Sequence, residues 1–518
     1  MRYKKLSIKY LFFSLSLIIL FSEGFISNST GIDKKFYKDF IQKYSGYNPQ
    51  VEDIASKELE RFNSHTYADN AGAGLYQKSQ ITEIHDDLIR NAYGNAHSRN
   101  PSAKLTDKRL NEARDLIYKF FNIDKSIYSI IFTGGATGGL KLVGENFPWT
   151  LESKYFYLRI NHNSVLGIRE YATNNGVNFS ALSYDEVEKI LKKQKETKGN
   201  KRLQNSCNDN MCENLDYINR QSMKSKFHKT HCLFAFPAKD NFVGQKYPLV
   251  WIKDIQKYGL SDDCVWKVLL DAAAFAPTEP LDITEYPADF VVISFYKMFG
   301  YPTGLGILII RNDDAQLFNK VYFGGGAVVM ASCDSRWCKM KETPSMKFED
   351  GTVPFLNIAS LKHGFKRLEY FGMKNISNHI AALSMYVYEE LSSLTHFSGK
   401  PVVIFYGRKD LPPNGGIVNF NILRPDGSVV NFGQVEHMAS ENHIHLRTGC
   451  FCNPGGCQDF LNLSLEEMQV ASEIRDSCSD PGQLNNKPLG SVRVSFGYLS
   501  TYKDAKNVVN FIKKYFVL

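Results

Sequence analysis

The string RTGCFCNPGGC places three cysteines, Cys450, Cys452 and Cys457, near the C-terminal end of a chain of 518 residues. A thiolate is both a strong nucleophile and a soft metal ligand. The cluster therefore reads as a persulfide or redox site, a metal site, or a set of packed thiols. Its spacing departs from the paired CxxC or CxxxxC of structural zinc sites, although His443 or His445 stands near enough in sequence to complete a ligand set. Taken alone, the cluster leaves these readings open.

Other chemically capable residues lie further upstream, each just after a short apolar run. Ile127 to Phe132, Tyr155 to Ile160, His231 to Phe236, Lys267 to Leu270, Phe290 to Ser294 and Gly306 to Ile310 all read as buried strands, and most of the intervals can hold a helix. This alternation predicts an α/β fold with a mainly parallel sheet covered on both faces, whose ligands sit beyond the carboxyl ends of the strands. After the first run comes Thr133-Gly134-Gly135-Ala136-Thr137-Gly138-Gly139, a Gly-rich turn opening a helix. Such a turn offers backbone N–H groups and the positive end of the helix dipole to an anion, and Thr137 adds a hydroxyl. It lacks the Lys-Ser/Thr of a nucleotide loop and the spacing of a dinucleotide fingerprint, which disfavours ATP and NAD. Asp271 follows one later run, and Lys297 follows the next, inside SFYKMFGYPTGLG. A phosphate turn, an acid and a lysine in that order are what pyridoxal phosphate requires. Lys297 would hold the aldehyde as a Schiff base, Asp271 would keep the pyridine nitrogen protonated, and Ser294 would share the phosphate.

Composition bounds the possibilities. A chain that is 43% hydrophobic and 13% aromatic buries a large core and is not disordered. Its net charge of +8 is a mild excess for this length, and much of it falls at Arg2, Lys4, Lys5 and Lys9 and in the polar stretch Lys192 to Lys229. That distribution fits a solvated surface rather than a nucleic-acid groove. The 10 cysteines are dispersed, so reduced thiols are the default, with Cys207 and Cys212 incidental to the polar stretch. Leu11 to Phe21 is an apolar run after a basic start and resembles a signal-peptide core, yet it is short for a membrane span.

The expected organisation is a leader over 1–45, signal-like or disordered, followed by an N-terminal arm and large domain over 46–365 with an inserted polar loop at 192–229. A smaller α+β lobe over 366–518, with strands at Val402 to Phe405, Ile417 to Ile422 and Val492 to Phe496, carries the cysteine cluster.

A set of strings in this chain resembles the class V, fold-type I pyridoxal-phosphate enzymes. Within them the resemblance is to the amino-terminal, cysteine-desulfurase-like part of the molybdenum cofactor sulfurases. The strings are YADNAGAGLY, YGNAHS, FTGGATGGLKLV, NHNSVLGIRE, FPAKDNFVGQKYPL, LLDAAAFAPTEPLD, SFYKMFGYPTGLG, YFGGG, FEDGT, HLRTGCFCNPGGC and VRVSFGYLST, in family order over nearly all of Gly46 to Leu518. The resemblance implies a fold-type I transferase with a large-domain sheet of the seven-stranded type. It implies Lys297 as the cofactor-bearing lysine, Asp271 as the pyridinium partner, His162 as the stacking aromatic and Asn241 as the partner of the phenolic oxygen. It also implies Ala136, Thr137 and Ser294 as phosphate ligands, with Thr352 donated from the opposite subunit of a homodimer. Arg493 would hold the substrate carboxylate, with Arg447 and His97 in support, and Cys452 of the RTGxxC pattern would be the nucleophile. Cys450 and Cys457 would resolve, relay or pack, and no metal is called for. Ala274 stands where bacterial relatives often have Gln, which leaves one cofactor hydrogen bond unmade or replaced.

The activity so implied is desulfuration of L-cysteine. Cys452 takes the substrate sulfur as a persulfide, alanine leaves, and the sulfur passes to the molybdenum cofactor of enzymes such as xanthine dehydrogenase or aldehyde oxidase, or to a cofactor-carrying acceptor protein. Positive charge from Arg447, His443 and His445 is expected to favour the thiolate. Relatives of this type continue into a cofactor-carrier domain, whereas this sequence stops at Leu518. The alternatives are another class V reaction (desulfuration for a different acceptor, selenocysteine lysis or transamination) and a metal-binding scaffold with a decayed pocket. Neither nucleic acid nor membrane is an expected partner apart from the leader, and the expected location is cytoplasmic, with secretion or anchoring through residues 1–24 as the alternative.

Overall fold

The apolar runs become strands of one sheet because nearly every residue in them is covered on both faces. The computed structural model describes residues 34–206, 230–408, 413–474 and 482–518. In it the large lobe is built on β1 (Tyr128–Thr133), β2 (Lys154–Leu158), β3 (Asn178–Leu182), β4 (His231–Pro237), β5 (Val265–Asp271), β6 (Phe290–Ser294) and β7 (Gly306–Arg311). Their order across the 7-stranded sheet is β1-β7-β6-β5-β4-β2-β3. β7 runs antiparallel to both of its neighbours, and the other pairings are parallel. Alternate residues serve opposite faces. Leu233, Leu269, Val292 and Leu308 pack with Leu140 and Val143 of helix α1 (Gly135–Asn146) on one side. Phe234, Phe236, Leu270 and Ile293 join a larger core on the other.

One strand escaped the sequence reading. β3 lies at the sheet edge and exposes Asn178 and Phe179, so Asn178–Leu182 shows no apolar run.

The smaller lobe is a 4-stranded sheet of β8 (Val403–Phe405), β9 (Ile417–Ile422), β10 (Arg447–Gly449) and β11 (Ser491–Ser495), antiparallel throughout and ordered β8-β9-β11-β10. Behind it pack the helices Met373–Ser392 and Tyr502–Phe516. Helix α2 (Pro454–Leu461) follows β10 directly and carries Cys457.

Three expected boundaries shift. Residues 34–43, assigned to the leader, form a helix whose Phe40 is buried among Tyr47, Tyr386 and Tyr502, with ring centroids 4.5–5.2 Å away. Burying one such side chain contributes roughly 1.5–3 kcal/mol; residues 1–33 of the expected leader lie outside the described residues. The division at 365/366 falls inside the helix Phe355–Phe371, where Phe365 packs on Phe295 and Phe299; Gly372, at φ 76°, ends that helix. The polar stretch begins as helix, because Tyr184–Ser206 continues past Lys192. Its Lys and Glu residues have good helix propensity and need no apolar face. Lys195 pairs with Asp254 at 2.8 Å, and Lys198 donates to the Tyr258 carbonyl at 2.7 Å. Cys207 and Cys212 lie outside the described residues.

Candidate active site

The carboxyl ends of β1, β2, β4, β5 and β6 converge on an open cavity lined by Ala136, Thr137, His162, Asn241, Asp271, Ser294 and Lys297. Sequence reasoning named all of these, and each owes its place to the element before it. β1 ends in a turn whose Gly135 has φ 80°, a left-handed value that a side chain resists. That turn opens α1, and the Ala136 N–H donates to Ser294 Oγ at 2.8 Å, joining the ends of β1 and β6. Thr137 Oγ1 lies 2.9 Å from Ser164 Oγ. Asp271 ends β5 with Oδ1 fixed by the Ala273 N–H at 2.9 Å.

Lys297 rides on the short turn Phe295–Phe299, seated by the stacked rings of Phe295 and Phe299. Burial pulls its ammonium below the ordinary lysine range; Asp271 opposes that shift and Arg493 adds to it. His162 caps a short helix by accepting the Ser164 N–H on Nδ1 at 3.1 Å, which leaves the ring proton on Nε2. Burial also lowers His162, against the pull of Asp271, so the ring is neutral near pH 7 and presents an aromatic face.

Asn241 follows β4 by way of Asp240, whose carboxylate accepts N–H bonds from Phe242, Val243, Gly244 and Gln245 and bends the chain tightly. Burial raises Asp240 to about 6. The Asn241 side chain reaches the cysteine segment: Nδ2 donates to the Phe451 carbonyl at 2.7 Å, and Oδ1 accepts from Asn453 Nδ2 at 3.0 Å.

That segment is a tight turn. The Asn453 N–H donates to the Cys450 carbonyl at 2.8 Å, and the two residues between, Phe451 and Cys452, have φ of 54° and 55°. Left-handed backbone at two consecutive bulky residues costs on the order of 1–3 kcal/mol each and persists only where the surroundings impose it. The surroundings are visible. The Asn163 N–H donates to the Cys452 carbonyl at 2.7 Å, Phe451 lies 4.6 Å under the Arg493 guanidinium, and Asn453 caps α2 through the Gly456 N–H. Gly455 sits so close to the Arg159 carbonyl that a Cβ there would collide with it. Cys452 itself is an exposed free thiol, near enough for its charge to be felt at Lys297, Arg493 and Tyr296.

Its two neighbours are not free. Cys450 and Cys457 form a disulfide with a Cα–Cα distance of 5.7 Å, and Cys232 and Cys264 form another, which corrects the expectation of reduced thiols at these positions. The histidines also differ from expectation. His445 Nε2 lies 2.9 Å from His65 Nδ1, and burial with the neighbouring His65 and His443 lowers its pKa, so His445 lends the cysteine turn no charge. Among the described residues no group of three or more His, Cys, Asp or Glu is arranged to hold a metal ion.

Arg493, on β11, is buried beside the cavity. Its guanidinium donates to Asp69 Oδ1 and to the Asn241 carbonyl, both at 2.8 Å, while Nε has no partner. Arg447 is its register neighbour on β10 and is exposed. Five expected residues are absent from the cavity wall: Cys452, Arg447, Arg493, Thr352 and His97. Thr352 is exposed elsewhere, and His97 Nε2 lies 3.3 Å from the adjacent Gly351 carbonyl, so the two sit together.

Asp69, Asn163, Asn453 and Lys239 were not singled out from sequence. Lys239 is fully buried, donates to Thr278 Oγ1 and to the Gly415 carbonyl, and lines both this cavity and an adjoining one on the far side of Lys297. Burial lowers it to about 8. A charged residue beside a predicted strand end was the one signal available for it.

An anion turn, a buried lysine, a carboxylate and a neutral imidazole around one cavity fit a phosphorylated pyridine aldehyde. The profile of the aminotransferase class-V family matches residues 66–204 and 213–508. The chain belongs to the class V aminotransferase family. The chain is 40% identical to the molybdenum cofactor sulfurase of Oryza sativa subsp. japonica over 92% of its own length and 58% of that protein. It is 38% identical to the human molybdenum cofactor sulfurase over 90% of its length and 52% of that protein. The chain thus spans between half and two thirds of these relatives. Among solved structures, a cysteine desulfurase from Thermococcus onnurineus superposes with a TM-score of 0.67 at 20% identity, covering 90% of this chain and 98% of that one. The cysteine desulfurase CsdA of Escherichia coli gives 0.64 at 16% identity, covering 90% of this chain and 98% of that one. These likenesses show the class V fold.

Proposed function

We propose that this class V enzyme is a pyridoxal-phosphate-dependent cysteine desulfurase of the molybdenum cofactor sulfurase type. It takes sulfur from L-cysteine as a persulfide on Cys452, releases L-alanine, and delivers the sulfur to the molybdenum cofactor of xanthine dehydrogenase or aldehyde oxidase type enzymes. The observation that carries this reading is the exposed free thiol of Cys452, held in a strained turn whose ties run to Asn163 and Asn241 at the rim of the cavity.

Pyridoxal phosphate, when bound, supplies an electron sink for the pair released at the substrate α-carbon. Lys297 would hold it, with Asp271 facing its ring nitrogen, His162 its ring face, Asn241 its phenolic oxygen, and the Ala136–Thr137 turn with Ser294 its phosphate. Arg493 binds the substrate carboxylate, a role suited to a bidentate guanidinium, by exchanging it for Asp69. The lowered ammonium of Lys297 is readily deprotonated, so its amine takes the α-proton. The Cys452 thiolate then attacks the substrate Sγ: the S–S bond of the persulfide forms, the substrate Cβ–Sγ bond breaks, and its electron pair stays with the carbon fragment, which takes up a proton and leaves as alanine. Thr352 and His97, brought together from two exposed loops, serve the cavity of a second copy in a homodimer. Among the described residues no helix is long and apolar enough to cross a membrane, and the location we assign is cytoplasmic.

The test is mass spectrometry of the protein after L-cysteine and pyridoxal phosphate. One added sulfur on Cys452, with alanine in the supernatant, is the expected result. Alanine formed undiminished by Cys452→Ala would mark a different class V reaction and overturn the proposal.

A further inference from the structure

Among the described residues the cysteines occupy two states, and the partition around Cys452 is sharp. Cys452 is free and exposed, whereas Cys450, two residues before it across the turn, is bonded to Cys457 of α2. A persulfide is electrophilic at its inner sulfur, and a thiolate attacking there expels the outer sulfur as sulfide. The thiol nearest along the chain to do so is Cys450, and the disulfide occupies it. Cys457 is the poorer attacker, fully buried in the core beneath α2, whereas Cys450 is half-buried with Sγ 3.5 Å from the Leu489 carbonyl.

We propose that the Cys450–Cys457 disulfide sets the product of the reaction: closed, it preserves the sulfane sulfur on Cys452 for transfer, and opened, it frees Cys450 to discharge that sulfur as sulfide. The inference rests on Cys452 being the persulfide carrier, as argued above. A dithiol reductant opens the Cys450–Cys457 bond and leaves as its own cyclic disulfide. The Cys450 thiolate then attacks Cys452 Sγ. A Cys450–Cys452 bond forms, the bond from Cys452 Sγ to the sulfane sulfur breaks, and that sulfur departs with the bonding pair as HS⁻. Two thiols are thereby oxidised and one sulfane sulfur is reduced. The new disulfide consumes the nucleophile, so discharge stops after one turn until the reductant acts again. The same disulfide fastens the start of the strained turn to α2, so opening it also loosens the backbone that keeps Cys450 and Cys452 apart.

The experiment reduces the purified holoenzyme with a dithiol, removes the reductant anaerobically, supplies L-cysteine and then desalts. It follows sulfide release and the sulfur mass on Cys452 against unreduced protein. Cys457→Ser, in which Cys450 is permanently free, and Cys450→Ser, in which it is absent, are carried in parallel. The pre-reduced wild type and Cys457→Ser are expected to lose the sulfur at least about tenfold faster than the closed wild type and to acquire a Cys450–Cys452 disulfide, while Cys450→Ser retains the sulfur. Equal retention in the closed and pre-reduced wild type overturns the inference, and this arm stands even if the variants do not fold. Discharge from Cys450→Ser as fast as from Cys457→Ser overturns it as well. Failure of the closed wild type to gain sulfur from L-cysteine would instead refute the desulfurase reading. The gate is then tested on protein loaded at Cys452 with inorganic polysulfide.

Discussion

The cavity and the cysteine turn lie against each other and are made in opposite ways. The cavity is assembled from the ends of strands of one sheet, so its groups are fixed by local chain geometry and by hydrogen bonds to nearby backbone, such as Asp271 to Ala273 and His162 to Ser164. The turn has two consecutive left-handed residues and is held from outside by Asn163, Asn241, Arg493 and a disulfide. The first region is rigid because of what precedes it in the chain; the second is rigid only while distant partners hold it. On the proposed function, which has sulfur accepted in a pocket and handed to another molecule, the turn is the part that moves, and Asn241 is its tie to the cavity wall.

The sharpest way to break the comparison is Lys297→Ala. It should abolish alanine release, by at least about 10³-fold, while leaving the Cys452 turn intact, as read by unchanged alkylation of Cys452. Parallel loss of both would mean that the two regions are one unit.

Arg493→Gln is expected to act on both regions. It leaves the half-buried Asp69 without its partner at a cost of roughly 1–3 kcal/mol in stability, and it raises the KM for cysteine. Adding Asp69→Asn should restore much of the stability, measured by urea unfolding, without restoring KM. Restoration of KM as well would remove Arg493 from substrate binding.

Acid should loosen the small lobe through His379. His379 accepts the Asn48 N–H on Nδ1 at 3.1 Å, lies 2.9 Å from the Ser500 carbonyl through Nε2, and is lowered by burial to about 4. Because the unfolded chain binds a proton from about 6.5 downward and the folded one does not until about 4, stability is full above that window. It falls by roughly 3 kcal/mol as pH descends through it. A melting curve of His379→Gln that keeps the wild-type slope between these values would refute the assignment.

The smallest effect is expected from Asn453→Ala, which removes the cap of α2 and one tie to Asn241 at about 1–2 kcal/mol. Cys452 should become more rapidly alkylated while absorbance of the bound cofactor is unchanged.

Legibility in the sequence followed the same divide. Lys297, Asp271, Ser294 and the Ala136–Thr137 turn could be found because each stands directly after an apolar run, and the chemistry of a strand end is set by its neighbours in the chain. β3 was missed because an edge strand half in solvent needs no apolar run. The contacts that hold the turn were invisible for a different reason. Asp69 meets Arg493 across a sequence separation of 424, and Asn241 meets Asn453 across 212, and no local pattern encodes such contacts. The pairing of Cys450 with Cys457 was equally hidden, since spacing allows several arrangements and the fold selects one.

The order of strands in the smaller sheet has a consequence for the protein's birth. β11 lies between β9 and β10, yet it is translated after both. During synthesis the neighbouring strands therefore leave the ribosome with their shared centre missing, and Arg493 is not yet present to cover Phe451. At elongation rates of about 5–20 residues per second, the Cys450, Cys452 and Cys457 thiols spend a few seconds on an unanchored chain, free to pair wrongly. The nascent protein must meet that interval in reduced form, and its correct cysteine partition is settled only when the last central strand arrives.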